Sequence, residues 1–219
     1  MSAASDHALL MDRIYRWQRR FGIYDATRKY YLLGRDPLLA GLAPPSGGCV
    51  LEIGCGTGRN LVKAAKLYPH VRFHGIDISQ EMLVAAEAAI AGAGQKDRVR
   101  VARADAACFD PQMLFGQANY DRIFISYAVS MIPQWQRVME IAVAGLPPGG
   151  ELHIADFGDM RDLPRWCRNA VDTWLGWHHV TPRTDLFAVS SQVAATHDSV
   201  SEERRLHRGF SWLATIRKG

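Results

Sequence analysis

Hydrophobic and polar positions follow two alternating periods between residues 48 and 157. Short apolar runs, typical of buried strands, occur at residues 50–53, 71–78, 99–104, 120–127 and 151–157. Segments with helical spacing lie between them at 59–67, from an N-capping Ser79 to about residue 91, and at 134–144. Strands that alternate with helices predict a parallel sheet covered on both faces.

The pattern changes after Phe157. Residues 161–177 predict a helix that carries Trp166, Trp174 and Trp177, and residues 185–196 predict another. Residues 202–207 and 210–216 predict a terminal pair of strands, interrupted near Gly209. The expected domain of 48–219 is therefore one compact α/β unit.

Residues 1–47 precede this unit and predict a helical cap. Apolar and aromatic side chains recur there at helical spacing, and arginines lie beside them: Ile14, Trp17, Phe21 and Tyr24, with Arg13, Arg16, Arg19 and Arg20. Such a helix either packs on the core with solvated arginines or covers a site and contacts an anionic membrane surface. The segment alone favours the first reading.

Composition limits the class of protein. The 219 residues are 48% hydrophobic and carry a net charge of +4, which suits one large domain and permits an acidic partner surface. The chain lacks a secretory apolar region and a run of the ~20 apolar residues that a membrane span needs, so any membrane contact is expected to be peripheral. Scattered cysteines without metal spacing predict a reduced, cytoplasmic protein without a metal site: Cys49, Cys55, Cys108 and Cys167.

A glycine-rich turn follows the first predicted strand. Gly54, Gly56 and Gly58 form G-x-G-x-G, and Arg59 stands where a dinucleotide fingerprint would have its third glycine. Nineteen residues after Gly58 the next strand ends at Asp77, where a carboxylate would hold a ribose diol. The pattern predicts a nucleoside site other than the usual dinucleotide site.

With Glu52 on the strand, this turn resembles the first motif of class I S-adenosylmethionine-dependent methyltransferases. The resemblance implies a Rossmann-like, mostly parallel seven-stranded sheet with an antiparallel C-terminal strand, and S-adenosylmethionine as cofactor. It also implies that strand tips and the residues around them bind the cofactor: Tyr31, Arg35, Glu52, Gly54, Cys55, Gly56, Gly58, Asn60, Asp77, Ile78, Met82, Asp105, Ala106 and Ser126. Asp105 could instead cap the segment that follows it.

The stretches YRWQR at 15–19 and YDATRKYYLLGRD at 24–36 resemble the diacylglyceryl-homoserine N-methyltransferases of betaine-lipid synthesis. This resemblance implies trimethylation of the lipid amine to give diacylglyceryl-N,N,N-trimethylhomoserine. It further implies a separate aminocarboxypropyl transferase that supplies the substrate, and peripheral attachment of residues 10–35 to the inner face of the membrane. A lipid substrate thus favours the membrane reading of the cap.

Aromatic rings attract the quaternary ammonium that such a reaction forms, and arginine suits a carboxylate. We expect Tyr24, Tyr30 and Tyr127 in a catalytic role, while the other acceptor-binding candidates are Arg28, Trp135 and Trp174, with Arg35 as a second candidate for the carboxylate. Tyr127 could equally be a half-buried aromatic with a satisfied hydroxyl.

Other readings stay open at this point. A methyltransferase for a soluble small molecule would share the whole cofactor site. A nucleic-acid binder could use the basic N-terminal helix, although no recognition motif is present and the glycine turn would go unexplained. An oxidoreductase that uses NAD is disfavoured by Arg59. Asp156 reads as a loop cap, and His178 and His179 as structural or exposed side chains.

Overall fold

The computed structural model describes residues 32–177 and 180–219, and a seven-stranded sheet organises them. The strands are β1 Cys49–Ile53, β2 Arg72–Asp77, β3 Val99–Arg103, β4 Arg122–Ser126, β5 Glu151–Phe157, β6 Ser199–Leu206 and β7 Ser211–Lys218. Their order across the sheet is β3-β2-β1-β4-β5-β7-β6. The five strands from β3 to β5 pair in parallel, and β7 runs antiparallel to both β5 and β6. The predicted fold class is confirmed.

Seven helices accompany the sheet in the described residues. They are α1 Arg35–Gly41, α2 Arg59–Leu67, α3 Gln80–Gly92, α4 Pro111–Phe115, α5 Trp135–Ala144, α6 Arg165–Trp177 and α7 Leu186–Thr196. Helix α2 has the predicted bounds, and the Ser79 hydroxyl accepts a 3.3 Å hydrogen bond from the Met82 amide, as expected of an N-cap. No helix in this part of the chain is both long and apolar enough to cross a bilayer.

Two buried clusters fill the two faces of the sheet because side chains alternate along each strand. Within β1, Leu51 and Ile53 point into a cluster with α5 and α7, while Val50 points into a cluster with α1 and α2. Helix α1 contributes Leu38 and Leu39 to that second cluster, so it packs on the sheet. The division of the chain at residue 47 stays a prediction.

Three local details differ from the expectations. Helix α6 begins at Arg165 rather than at residue 161, because the chain first makes a turn in which the Leu163 amide donates to the Met160 carbonyl. Helix α4 was not predicted, although Asp110 caps it and Pro111 occupies its first turn. The final strands are longer than expected, beginning at Ser199 and ending at Lys218.

The strand order places the functional region. Strand β1 pairs with β2 on one side and with β4 on the other, so the chain reverses direction across the sheet at β1. Open α/β sheets bind ligands beyond the carboxyl ends of their strands at such a reversal. The ends of β1, β2 and β4 are therefore the place to look for a site.

Candidate functional site

The turn after β1 is built on glycines in the left-handed region. Gly54, Gly56 and Gly58 have φ values of 75°, 51° and 71°. The amides of Gly54 and Cys55 both donate to the Ile76 carbonyl, at 2.8 and 3.0 Å, which fixes the turn against the end of β2. Glycine adopts these angles without the penalty that a Cβ brings. The tight turn at the end of β1 is therefore a direct product of the glycine spacing.

The three glycines differ in the space around them. A Cβ at Gly54 would lie 2.7 Å from the Cβ of Ala128, and one at Gly58 would lie 3.0 Å from the Cβ of Ala86. A Cβ at Gly56 would meet nothing within 4 Å. Gly54 and Gly58 thus permit close packing, whereas Gly56 presents its backbone to open space. The space beside Gly56 therefore allows a ligand to lie close to the backbone of the turn.

Asp77, the last residue of β2, lies beside this turn. Its Oδ2 accepts a 2.8 Å hydrogen bond from the Gly56 amide, and its Oδ1 accepts one of 2.9 Å from the Ser79 amide. Hydrogen bonds from amides to a carboxylate are stronger than neutral ones. The two bonds hold the carboxylate in a fixed orientation between the glycine turn and the start of α3.

Glu52 is fully buried on β1 behind the turn. Its Oε1 accepts a 2.7 Å hydrogen bond from the Asn60 side-chain amide, and its Oε2 has no hydrogen-bond partner among the described residues. Burial raises the pKa of Glu52 to about 8, against the opposing effects of the Asn60 hydrogen bond and the Arg35 charge. Burial therefore favours the protonated form of Glu52, and its Oε2 has capacity for a further hydrogen bond.

The tips of β3 and β4 complete the edge of the site. Oδ1 of Asp105 accepts a 2.9 Å hydrogen bond from the Ala107 amide, so Asp105 also orders its own turn, as the capping alternative proposed. Ala106 and Ile78 are half-buried, and Met82 is fully buried. The sequence predicted these residues at the cofactor, and their contacts with it stay predictions.

Ser126 is the last residue of β4, the strand that pairs with β1. Its hydroxyl oxygen is buried and has no hydrogen-bond partner in the described segments. A buried hydroxyl without a partner is costly, so such a group commonly awaits a ligand or a water molecule. Together with Oε2 of Glu52, it supplies hydrogen-bonding capacity that the described residues leave unused.

Tyr127 follows Ser126 and has a left-handed backbone, with φ of 54°. Its hydroxyl accepts a 2.9 Å hydrogen bond from the Gly34 amide and shares one of 2.5 Å with the Ser211 hydroxyl. Burial raises the pKa of Tyr127 to about 12. The hydroxyl therefore joins the segment before α1 to β7, as the alternative of an aromatic with a satisfied hydroxyl proposed, and the catalytic role of Tyr127 stays a prediction.

Two tryptophans expected at the acceptor occupy different environments. Trp135 is 2% exposed and lies in the core, with the Arg183 guanidinium 5.8 Å from its ring centroid. This corrects its assignment to the substrate pocket, because a ring so deeply buried offers no surface to a substrate. Trp174 is half-buried on α6 and lines an apolar groove. Arg35 is buried at the start of α1, where its charge acts on Glu52.

The remaining predicted acceptor residues lie outside the described residues. They are Tyr24, Arg28, Tyr30 and Tyr31, and the same holds for His178 and His179. Their roles stay predictions.

One polar arrangement, around the loop after β4, was only partly predicted from the sequence. Asp156 is fully buried, and its carboxylate accepts hydrogen bonds from the Ser130 amide at 3.0 Å and the Phe157 amide at 2.8 Å. This matches the expectation of a loop cap. Burial raises the pKa of Asp156 to about 6. Arg183 supports the same loop by donating to the carbonyls of Val129 and Ile132, a contact that no feature of the sequence had indicated.

The donor set fits S-adenosylmethionine, the cofactor that the resemblance implies. The oriented carboxylate of Asp77 would accept hydrogen bonds from the ribose hydroxyls. The open space beside Gly56 leaves room for the methionyl part. The turn at Asp105 and Ala106 would contact the adenine. The unused oxygens of Glu52 and Ser126 add polar partners around the same edge.

Comparison with known proteins gives a consistent result. A family model described as "Methyltransferase domain" matches residues 51–152. The chain is 30% identical over 174 residues to the phosphatidylethanolamine N-methyltransferase of Cereibacter sphaeroides, which covers 77% of this chain and 81% of that protein. Several other curated methyltransferases match over about half of their own length.

Solved structures share the fold. An O-methyltransferase family 2 protein from Planctomyces limnophilus, in complex with apigenin, superposes with a TM-score of 0.70 at 21% identity over 92% of this chain and 61% of that one. The phosphoethanolamine N-methyltransferase 2 of Haemonchus contortus, in complex with S-adenosyl-L-methionine, gives a TM-score of 0.61 at 21% identity over 78% and 38%. At these identities the likeness concerns the fold alone.

Proposed function

Because the chain belongs to the class I S-adenosylmethionine-dependent methyltransferases, we propose that it methylates the amine of a lipid headgroup. The observation that carries this proposal is the 30% identity to a phosphatidylethanolamine N-methyltransferase over most of that protein. When bound, S-adenosylmethionine supplies an electrophilic methyl group. Once the acceptor amine has lost its proton, its nitrogen would form a bond to this methyl group as the methyl–sulfur bond breaks, and S-adenosylhomocysteine would leave.

The finer proposal is that the substrate is diacylglyceryl-homoserine and the product its N,N,N-trimethyl betaine lipid. The N-terminal stretches at 15–19 and 24–36 support it through their resemblance to the enzymes of betaine-lipid synthesis. In this assignment Arg28 would pair with the homoserine carboxylate. Tyr24 and Tyr30 would face the methylated nitrogen, to which aromatic faces are attracted.

Binding and orientation account for the chemistry that this site needs. Precise alignment of two reactants can lower a barrier by ~7–11 kcal/mol, so a strong general base is not required. Within the described residues, Asp77 and the glycine turn would hold the cofactor, and Asp156 with Arg183 holds the loop after β4. These groups position the reactants and leave proton removal to the surrounding water.

Phosphatidylethanolamine is the second candidate substrate, favoured by the activity in the name of the Cereibacter relative. It shares the primary amine and the two acyl chains with diacylglyceryl-homoserine. Its anion is a phosphodiester in the link between glycerol and the amine, whereas the anion of the homoserine lipid is a carboxylate on the carbon that bears the amine. The two candidates therefore differ in the anion that a nearby cation must recognise.

A lipid substrate also implies contact with a membrane surface. We propose that residues 10–35, rich in arginine and aromatic side chains, dock the enzyme peripherally on the inner face of the membrane. A separate aminocarboxypropyl transferase would supply the homoserine lipid. Flotation with vesicles tests the docking: binding should rise with anionic lipid content, and flotation that is independent of it would contradict the proposal.

The substrate assignment is tested with the purified protein, methyl-labelled S-adenosylmethionine, and each lipid in mixed micelles. We expect label in the extracted homoserine lipid. Label in phosphatidylethanolamine alone would replace the finer assignment and retain lipid N-methylation. Label in neither lipid, with the cofactor still bound in calorimetry, would refute the lipid assignment altogether.

A further inference from the structure

An apolar groove runs along α6, outside the cofactor site. Its volume is about 260 Å³, and its lining is almost entirely hydrocarbon and aromatic. The lining residues are Trp166, Cys167, Ala170, Val171, Trp174 and Phe210. The side chains from α6 recur at positions that share one helical face. Trp166, at one end, is 75% exposed. An apolar surface of this kind commonly marks a place where a ligand or another apolar surface binds.

Packed rings link the groove to the carboxyl ends of β4 and β5. Phe210 contacts Phe157 edge to face at 5.8 Å between centroids, and Phe157 contacts Tyr127 in the same way at 4.8 Å. Phe157 ends β5 and Tyr127 directly follows β4. The groove therefore opens at the carboxyl ends of the strands, on the same edge of the sheet as the glycine turn.

The geometry points to an acyl-chain site: we propose that this groove holds part of one acyl chain of the lipid substrate while the headgroup reaches the strand tips. The inference rests on the proposed lipid substrate and adds the place where its hydrocarbon part binds. A chain in the groove would be shielded from water by Trp166, Val171 and Trp174, and each buried methylene would tighten binding. The site would accept hydrocarbon and make no demand on the headgroup.

The cysteines allow a test that does not depend on catalysis. Cys167 lines the groove and is partly exposed, whereas Cys108 is exposed on the loop after β3, and Cys49 and Cys55 are buried. Alkylation of the two accessible thiols is followed by mass spectrometry of their peptides. The probes are dibutyryl, dihexanoyl and dioctanoyl forms of the lipid, each below its micellar concentration.

We expect monomeric lipid to slow alkylation of Cys167, more strongly with longer chains, and to leave Cys108 unchanged. Protection of Cys167 by vesicles but not by monomers would overturn the proposal in favour of insertion of α6 into a bilayer. Resistance of Cys167 to alkylation without any lipid would also overturn it, because another segment would then occupy the groove.

A pair of variants links the groove to the reaction. Ala170→Trp fills the groove, and Asn169→Trp places the same ring on the opposite, exposed face of α6. In the wild type and in N169W, KM for monomeric lipid should fall about two- to fourfold for each added methylene. In A170W that dependence should disappear while affinity for S-adenosylmethionine is retained. Equal chain-length dependence in both variants refutes the groove, whereas a wild type inactive on every lipid refutes the proposed function instead.

Discussion

The Gly56 amide donates a 2.8 Å hydrogen bond to Oδ2 of Asp77, joining the turn after β1 to the tip of β2 across 21 residues of sequence. The bond couples the two features that are predicted to bind the cofactor. The glycine turn cannot shift without moving the carboxylate, and the carboxylate cannot rotate without losing the amide. We therefore expect binding of S-adenosylmethionine to depend on the pair rather than on either residue alone.

Asp77→Asn should weaken binding of S-adenosylmethionine. The amide side chain carries no charge, so its hydrogen bonds with the Gly56 amide and the ribose hydroxyls lose their charge assistance. Loss of about 1.5–3 kcal/mol would raise Kd roughly 10- to 100-fold in calorimetric titration. Asp110→Asn is the matched control, since Asp110 likewise accepts hydrogen bonds from two amides, at the start of α4, and is not among the predicted cofactor residues. Unchanged affinity in D77N would contradict the assigned role.

Gly54→Ala should destabilise the fold and impair cofactor binding. Alanine in the left-handed region costs about 1–2 kcal/mol, and the new methyl would also meet the Cβ of Ala128 at 2.7 Å. Gly149→Ala separates the two effects, because Gly149 has a similar φ of 74° and a methyl added there would meet nothing within 4 Å. Thermal unfolding should show a larger loss in G54A than in G149A. Equal losses would mean that the contact with Ala128 relaxes without cost.

Relative to the wild type, the cofactor-free Glu52→Gln variant should become more stable as pH rises. The pKa of Glu52 is about 8 in the fold, against an ordinary value of 4.5, so the unfolded chain loses its proton first. Wild-type stability therefore falls between about pH 4.5 and pH 8, by up to about 5 kcal/mol, and E52Q escapes that loss. Denaturant titrations at pH 5 and pH 8 measure the difference. A gap between the variants that does not widen with pH would be incompatible with a buried, protonated Glu52.

Glu151→Gln provides a control of opposite sign. The hydrogen bond from His153, together with the Arg217 and Arg122 guanidinium groups, lowers the pKa of Glu151 to about 2. Its ionised form stabilises the fold above pH 4.5, and that contribution is lost as pH falls toward 2. E151Q should therefore lower stability at pH 7 and approach the wild type in acid. Denaturant titrations of E151Q and the wild type at pH 7 and at about pH 3 measure this difference, and a deficit of E151Q that stays equal at both pH values would contradict it.

Tyr127→Phe should reduce stability by about 1–2 kcal/mol, because it leaves the buried Gly34 amide without its acceptor. Ser211→Ala removes the other partner of the hydroxyl. A double-mutant cycle on unfolding free energies should therefore show coupling between the two changes. If Tyr127 were catalytic instead, Y127F would lose turnover with no change in stability. A stable but inactive Y127F would support the predicted catalytic role of Tyr127 and contradict a purely structural one.

The cofactor half of the site could be predicted from sequence because its signals are local. The glycine spacing sets the turn, and Asp77 ends the adjacent strand, so a few consecutive residues carry each feature. Helix α2 and the Ser79 cap were predicted for the same reason. Short-range chemistry at strand ends and helix starts survives folding with little influence from distant residues.

The region around the end of β4 depends on contacts between residues far apart in the chain, which the sequence pattern does not show. Arg183 supports carbonyls that lie 51 and 54 residues away, and the Tyr127 hydroxyl meets partners 93 and 84 residues away. Trp135 was a different case. It begins an apolar face that continues at Val138, Met139 and Ala142, and this spacing signals a core position.

Identification of the atom that receives the methyl group tests the central claim most directly. The protein is incubated with methyl-labelled S-adenosylmethionine and diacylglyceryl-homoserine, and tandem mass spectrometry locates the label in the product. We predict label on the headgroup nitrogen, progressing to the trimethylated betaine. Label on the carboxylate oxygen as a methyl ester, or on a soluble acceptor while the lipid stays unlabelled, would contradict lipid N-methylation.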